Sequence, residues 1–385
     1  MARPNNSSKL RITFLLPCYP WSPMGGLRVV YEYANRLVAR GHSVNLVHPR
    51  QLKYLPKETV NARGYLRQLR NRFYNRLWKP QIDWHPIDRR VNVLYAKDTG
   101  AQSLPDADAI FATAWQVVES VLRCDQSKGI KFNFIQGYSE LLGPIDAVEA
   151  TWRAPLHRIV ISKWLMEKGQ QLGCEPLEYI PNAIDHEQYR LKRTIEDRRR
   201  RVAMLFSTSP IKGSKDGIRA LSLAREKLPD LQVVFFGTSR APSWLPKWAE
   251  YHRNPPQEFI IDEIYNRSSI FLSPSWSEGF ALPPAEAAAC GCAIVATDSG
   301  GVRDFLQDEV TGLLSEPKNA AALGANLIRL LKNETLRVRL AKTANSFIKN
   351  LDWNRSTDQL EAFILNAMKT SAKTVQARSA EIAVR

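Results

Sequence analysis

The sequence predicts an α/β protein of two parallel sheets, each wound with helices on both faces. Three observations carry this expectation. The chain has 385 residues, a length that suits two domains of about 150 residues or a little more. Short apolar runs alternate with helical patterns, as in an open parallel sheet. That alternation restarts after a polar, charged stretch near the middle, LKRTIEDRRRR at 191–201.

The first series opens with LRITFLLP (10–17), an apolar run ending at proline, as a strand buried on both faces would. A loop follows from Cys18 to Gly26. Next comes VVYEYANRLVAR, with Val30, Tyr33, Ala34, Leu37 and Val38 at helical spacing; Gly41 ends that helix, and SVNLVH (43–48) reads as the next strand. Further strands are expected at 107–113, 132–136 and 158–162. The second series has strands at 202–207, 231–237, 269–274 and 292–297, and a last helical pattern spans Thr357–Met368, with a frayed tail beyond it. The expected division is a first domain over 1–183, completed by a C-terminal helix at 354–368, a second domain over 184–353, and a tail over 369–385.

Composition narrows the class. Apolar residues make up 44% and charged residues 24%, the balance of a globular protein. Lys and Arg number 54 against 38 Asp and Glu, a net charge of +16; that surplus predicts an anionic partner such as nucleotide phosphates, a lipid surface or nucleic acid. No apolar run approaches the roughly 20 residues that span a bilayer, and MARPNNSSKL lacks the apolar core of a signal peptide. The five cysteines are too few and scattered for a disulfide framework, and Cys290-Gly-Cys292 has the wrong spacing for a CxxC pair. A cytoplasmic protein is the expectation.

The most informative stretch is SPSWSEGFALPPAEAAACGCAIVATDSGGVRDFLQDEVTGLL, residues 273–314. A strand ends at Ser273, and a loop through Glu278-Gly279-Phe280 leads to Pro283-Pro284, which suit the first turn of a helix. Glu286 then lies about one turn inside. Loop N–H groups and the helix N-terminus face one crevice at the carboxyl end of a parallel strand, a setting that suits phosphate. Glu278 and Glu286, eight positions apart, can bracket a polyhydroxylated ligand, because a carboxylate accepts and sugar hydroxyls donate. The residues alone leave a second reading open: a glutamate in a first helical turn also answers the helix dipole, and Gly-Phe after it fits an ordinary tight turn.

As a whole, this string resembles the signature of family 4 glycosyltransferases, which have the GT-B fold: two Rossmann-like domains facing across a cleft. In that family the first Glu lies beside the transferred sugar and the second holds the ribose hydroxyls of a nucleotide. The resemblance places these roles on Glu278 and Glu286, and puts the backbone of Gly279, Phe280 and Ala281 near the diphosphate; Ala281 stands where Gly is usual. Gly25-Gly26, Arg40-Gly41-His42-Ser43-Val44, Ile161-Ser162-Lys163-Trp164-Leu165, Ile180-Pro181-Asn182-Ala183-Ile184-Asp185 and Trp353 follow in the family's order, so the resemblance covers roughly residues 10–367. The last helix is expected to cross back onto the first domain. One departure matters. The family places an Arg, then a Lys five residues on, after the first strand of its second domain; here Ser207 occupies the Arg position and Lys212 the Lys position. Lys215 could assist or could be a solvated helix-start lysine, and Arg303 likewise could approach the cleft.

The resemblance implies a retaining transferase, with Glu278 and Lys212 catalytic and Gly25, Gly26, Ser207, Lys212, Lys215, Glu278, Gly279, Phe280, Ala281 and Glu286 binding a nucleotide-diphosphate sugar as co-substrate. No cofactor and no metal are expected, since no Asp-x-Asp motif is read as holding divalent ions against the diphosphate. The acceptor, a glycan or a lipid-linked one, is expected against the first domain, with Trp21, Thr113, Trp115, Gln136, Tyr138 and Glu140 as candidate contacts; a His the family often has near Thr113–Trp115 is absent. Residues 50–90 hold 11 Lys or Arg against 3 acidic residues. Leu66, Leu69, Phe73 and Leu77 form an apolar stripe there, which suits peripheral contact with an anionic membrane at the inner face or an ordinary surface helix. Two other classes stay open: another GT-B enzyme such as a nucleotide-sugar epimerase or phosphorylase, and a non-catalytic polyanion-binding protein. No specific nucleic acid is expected, because no recognition motif for one is present.

Overall fold

A computed structural model describes residues 9–54, 77, 81–139 and 143–383, with side chains described to 371. Seven parallel strands form the first sheet: β1 (Arg11–Leu15), β2 (Ser43–Pro49), β3 (Asn92–Ala96), β4 (Ala109–Ala112), β5 (Ile130–Ile135), β6 (His157–Val160) and β7 (Leu177–Tyr179), in the order β3-β2-β1-β4-β5-β6-β7. The second sheet holds β8 (Arg201–Leu205), β9 (Gln232–Gly237), β10 (Glu250–Arg253), β11 (Ile270–Ser273), β12 (Ala293–Thr297) and β13 (Leu313–Ser315), also parallel, in the order β10-β9-β8-β11-β12-β13. Helices cover both faces, so central strands such as β4 (AIFA) and β12 (AIVAT) are fully buried, and apolar but for Thr297 at the end of β12.

Both sheets reverse their order of winding at one place, between β1 and β4 and between β8 and β11. At such a switch point the connecting helices leave in opposite directions and a crevice opens beyond the carboxyl ends of the strands. Around the first crevice the chain places α1 (Gly25–Ala39), α2 (Trp115–Leu122), α3 (Ile145–Arg153) and α4 (Lys163–Gln171). Around the second lie α5 (Ser214–Lys227), α6 (Leu282–Ala289), α7 (Ala320–Lys332) and α8 (Glu334–Ile348).

Four strands escaped the sequence reading: β3, β7, β10 and β13. All are edge strands of three to five residues, mostly half-buried; β7, β10 and β13 lack a long apolar run, whereas β3 has one at Val93–Ala96 that went unread. The helix predicted from Val29 starts instead at Gly25, because apolar periodicity does not register two glycines in a first turn. The last helix, α9 (Trp353–Ala383), outruns the 357–368 pattern; from 353 on there is no Gly or Pro, and Ala, Lys, Gln, Arg and Glu favour a helix by their own propensity. It packs on the first domain: Arg40 pairs with Glu361 at 2.9 Å and Asp358 at 2.6 Å, and Phe363 meets the Phe132 ring.

The two domains share apolar packing. One cluster runs from Phe14 and Phe111 through Ile161, Ile184 and Trp353 to Phe280 and Phe271. A polar clasp supplements it. Helix α4 begins after Ser162, whose hydroxyl makes no capping bond; the backbone N–H of Lys163 donates instead to both carboxylate oxygens of Asp304, at 3.2 and 3.1 Å, and Tyr179 donates its hydroxyl to the same carboxylate at 2.5 Å. A helix of one domain is thus capped by a side chain of the other.

Candidate active site

The loops that leave β8 and β11 are sewn together. Gly213 takes φ of 59°, and a Cβ there would lie 1.9 Å from the carbonyl oxygen of Pro274; only glycine turns the chain so close. The Trp276 N–H donates to Ile211 O at 2.8 Å, and the Trp276 indole donates to Asp216 at 2.7 Å. This stitching sets Lys212 against Glu278. Its Nζ lies 2.8 Å from Oε1 and 2.9 Å from Oε2, so one ammonium bridges both oxygens. Glu278 is further fixed through its backbone, its N–H donating to Ser299 O and its carbonyl accepting from Gly301 N–H.

Beyond Glu278 the chain enters α6 through Ala281, which adopts φ of 70°. That left-handed turn explains why glycine would be at home there, and Leu282-Pro283-Pro284 then open the helix. Glu286 sits inside it, 4% exposed. Its Oε1 accepts from Arg28 at 2.5 Å and its Oε2 from the Tyr265 hydroxyl at 3.2 Å. Arg28 comes from the first turn of α1, across the cleft. It also donates to the Tyr189 hydroxyl at 2.8 Å and lies over that ring, and Gln257 donates to the same hydroxyl at 2.5 Å. Burial works against the guanidinium's charge, but Glu286, then Tyr189 and Glu32, outweigh it and raise its pKa above the ordinary value. Burial, joined by Glu286, pushes the phenols of Tyr189 and Tyr265 well up, so both stay neutral, Tyr265 as a donor to Glu286 and Tyr189 as an acceptor from Arg28 and Gln257.

The opposite wall is the first domain. A Cβ on Gly25 would touch Leu282, and one on Gly26 would touch the Gln136 amide. The Gln136 carbonyl stands against Gly279, where a Cβ would come within 1.9 Å. Trp164 donates its indole N–H to Gly279 O at 3.1 Å. The Gln136 amide nitrogen donates to Thr113 O, while its buried Oε1 has no partner.

The sequence-predicted residues therefore fall into groups. Gly25, Gly26, Lys212, Glu278, Gly279, Phe280, Ala281 and Glu286 converge on one cleft, although Phe280 turns its ring inward against Phe305. Ser207 is held by its own turn, accepting from Ser209 N–H at 3.1 Å. Lys215 is exposed, its ammonium over the Trp244 ring, and Arg303 pairs with Asp298 at 2.7 Å. Of the acceptor candidates, Gln136 reaches the cleft. Thr113 is buried and donates to Leu15 O, and Tyr138 donates to Glu149 at 2.7 Å; both serve packing. Trp115 packs on Gly143, Trp21 is half-exposed, and Glu140 lies outside the described residues, as does most of 55–80. Asp106-Ala107-Asp108 does spell Asp-x-Asp, contrary to the sequence reading, but it precedes β4 at the far end of the sheet, with Asp106 on Lys128 and Asp108 on Arg11. Among the described residues no three His, Cys, Asp or Glu gather as metal ligands would.

Sequence reasoning missed Arg28, Tyr189, Gln257, Tyr265, Trp164 and Asp304. Only Arg28 had a usable signal, a cation two positions after the paired glycines.

The profile of the glycosyl transferases group 1 family matches residues 185–347. That stretch is a group 1 glycosyltransferase domain. The group 1 domain and the domain before it together make the GT-B fold: HepE of Anabaena, solved in complex with UDP-glucose, aligns with 94% of this chain and 100% of its own at a TM-score of 0.69 and 14% identity. Sucrose-phosphate synthase of Thermosynechococcus elongatus aligns with 96% and 100% at 0.69 and 15%. Among curated proteins, the D-inositol 3-phosphate glycosyltransferase of Corynebacterium efficiens is 28% identical over 185 residues, 43% of this chain and 42% of its own. The N,N'-diacetylbacillosaminyl-diphospho-undecaprenol alpha-1,3-N-acetylgalactosaminyltransferase of Campylobacter jejuni is 28% identical over 182 residues, 46% of this chain and 47% of its own. The chain thus matches just under half the length of these curated relatives.

Proposed function

We propose that the protein is a retaining glycosyltransferase that moves a hexose or deoxyhexose from a nucleotide-diphosphate sugar to a glycan or lipid-linked acceptor. The observation that carries this reading is the convergence of Lys212, Glu278 and Glu286 at the carboxyl ends of β8 and β11, facing Gly25, Gly26 and Gln136. Glu286 accepts from ribose hydroxyls. The α6 N-terminus and the N–H groups of 279–281 receive the diphosphate. The difficult step is cleavage between the anomeric carbon and the diphosphate, as the sugar turns oxocarbenium-like and the leaving group gains charge. Lys212 neutralises that charge, a preorganised cation in a site sheltered from water. Glu278 positions the sugar through its hydroxyls, and the acceptor attacks on the face the diphosphate leaves. Gln136, with an unused carbonyl oxygen at the seam, accepts from an acceptor or sugar hydroxyl.

The net charge of +16 agrees with an anionic acceptor. The two curated relatives named above have names that specify an inositol phosphate and a diphospho-undecaprenol acceptor, both anionic; a basic segment at 50–90 would serve such a lipid at a membrane surface. No described helix is long and apolar enough to cross a membrane, so such contact would be peripheral.

Nucleotide sugars carrying UDP, GDP, ADP or dTDP, screened for thermal stabilisation and slow donor hydrolysis, test the reading; one should shift the melting temperature by several degrees. Glu286→Ala should then weaken donor binding at least tenfold, and Lys212→Ala should lower kcat by a factor of 100 or so with a smaller change in donor affinity. Wild-type kinetics in both variants would refute these roles.

A further inference from the structure

Arg28 is a half-buried cation at the cleft, paired with Glu286, that this donor-site reading leaves without a task. It stands in the first turn of α1, two positions after Gly26, where the helix's first N–H groups have no partner within the helix. Gly25 lies against Leu282, the first residue of α6. The starts of the two helices therefore meet, and a diphosphate held at the α6 N-terminus lies beside the turn that carries Arg28. Across the cleft the position five residues before Lys212 is Ser207, whose hydroxyl is spent on its own turn. The second domain thus offers a single lysine where the family pattern has two cations.

Resting on the donor-site reading, we infer that Arg28 is a donor-binding residue that exchanges partners. Without donor it neutralises Glu286. With donor it yields that carboxylate to the ribose hydroxyls and turns its guanidinium to the diphosphate, in place of the arginine missing at 207. Charge supplies the reason. Glu286 is 4% exposed and accepts one bond at each oxygen; Arg28 is half-buried against it, so leaving the guanidinium without an anion carries a cost. Ribose hydroxyls can satisfy Glu286, but they offer Arg28 no negative charge. A diphosphate supplies the second anion, and a planar guanidinium can bind its oxygens in a forked pair. A nucleoside alone must compete with Arg28 for Glu286, whereas a nucleoside diphosphate is accepted by both. Arg28 thereby makes the ribose subsite answer to the phosphates.

Calorimetric titration of the full chain with UDP, GDP, ADP and dTDP, and with the matching nucleosides, tests this. Relative to wild type, Arg28→Met should bind the preferred diphosphate 10 to 100 times more weakly while binding its nucleoside as well or several-fold more tightly. Adding Ser207→Arg to Arg28→Met should restore most of the lost diphosphate affinity. Arg28→Lys, which keeps a cation near Glu286, should fall between, and it serves as the folded comparison if circular dichroism shows Arg28→Met misfolded. Equal losses for nucleoside and diphosphate would mean that Arg28 merely holds Glu286 in place, and unchanged affinities would mean that it does neither; each overturns the inference. A wild type that binds none of the four diphosphates overturns the donor-site reading itself.

Discussion

Ala281 holds φ at 70° where the chain turns from the Glu278 loop into α6, and it is buried. An alanine tolerates this turn at modest cost; a β-branched side chain clashes with its own backbone there. Ala281→Val should therefore cost about 2 kcal/mol or more, read as a shift in urea midpoint, while Ala281→Gly should stay within about 1 kcal/mol of wild type. An unperturbed valine variant would refute the left-handed turn. At this scale the sequence was legible where a residue's task follows from its neighbours in the chain. Glu278 and Glu286 stood out by their spacing and loop-helix setting, and Lys212 by the resemblance to family 4 glycosyltransferases. Tyr265 and Gln257 did not, since nothing near them in sequence marks one phenol or amide among many as the partner of a distant carboxylate or hydroxyl.

Helix α4 shows the same at the scale of an element. Its own N-cap candidate, Ser162, is in the right place but makes no capping bond, and Asp304 caps it from the other domain. Burial, only partly offset by Tyr179 and Lys163, holds the Asp304 carboxyl above the ordinary range. Asp304→Ala removes the acceptor from both the Lys163 N–H and the Tyr179 hydroxyl, so it should destabilise the protein by about 1 to 3 kcal/mol. Amide exchange should quicken at Lys163 and Trp164, whereas Asp304→Asn, which still accepts, should lose less. Exchange unchanged in the alanine variant would refute the cross-domain cap. The central strands were readable because burial on both faces demands unbroken apolar runs. The edge strands β7, β10 and β13 were not, because short half-buried pairing leaves no such run, and the Val93–Ala96 run of β3 went unread.

Over the whole molecule, two buried histidines set an acid limit. His48 donates from Nδ1 to Cys18 O and, as a neutral ring, accepts the Tyr31 hydroxyl at Nε2, and burial lowers its pKa to about 4. His85 lies 3.7 Å from Glu32, close enough for an ion pair were it charged, yet burial first, then Arg28 and Arg36, lower its pKa to about 3. Unfolded, both titrate near 6.5. Between those values the unfolded chain binds more protons, so stability is full above about pH 6.5 and falls as pH drops, by about 1.4 kcal/mol per unit for each histidine. Denaturation at pH 7 and pH 5 should differ by about 2 to 4 kcal/mol. His157, also lowered by burial, acts in the same sense, and Asp304 in the opposite one. Stability unchanged over this interval would show that the two rings are not buried neutral.

The sequence by itself determined the two wound sheets, the crevice-forming loops and the charged residues those loops carry, because strand burial, helix periodicity and turn chemistry act over a few neighbouring residues. Tertiary structure alone decided which charges meet. Arg28 and Glu286 are 258 positions apart, Lys212 and Glu278 are 66, and Lys163 and Asp304 are 141. Such pairings depend on how loops interlock and how one domain docks on the other, and no local pattern encodes either.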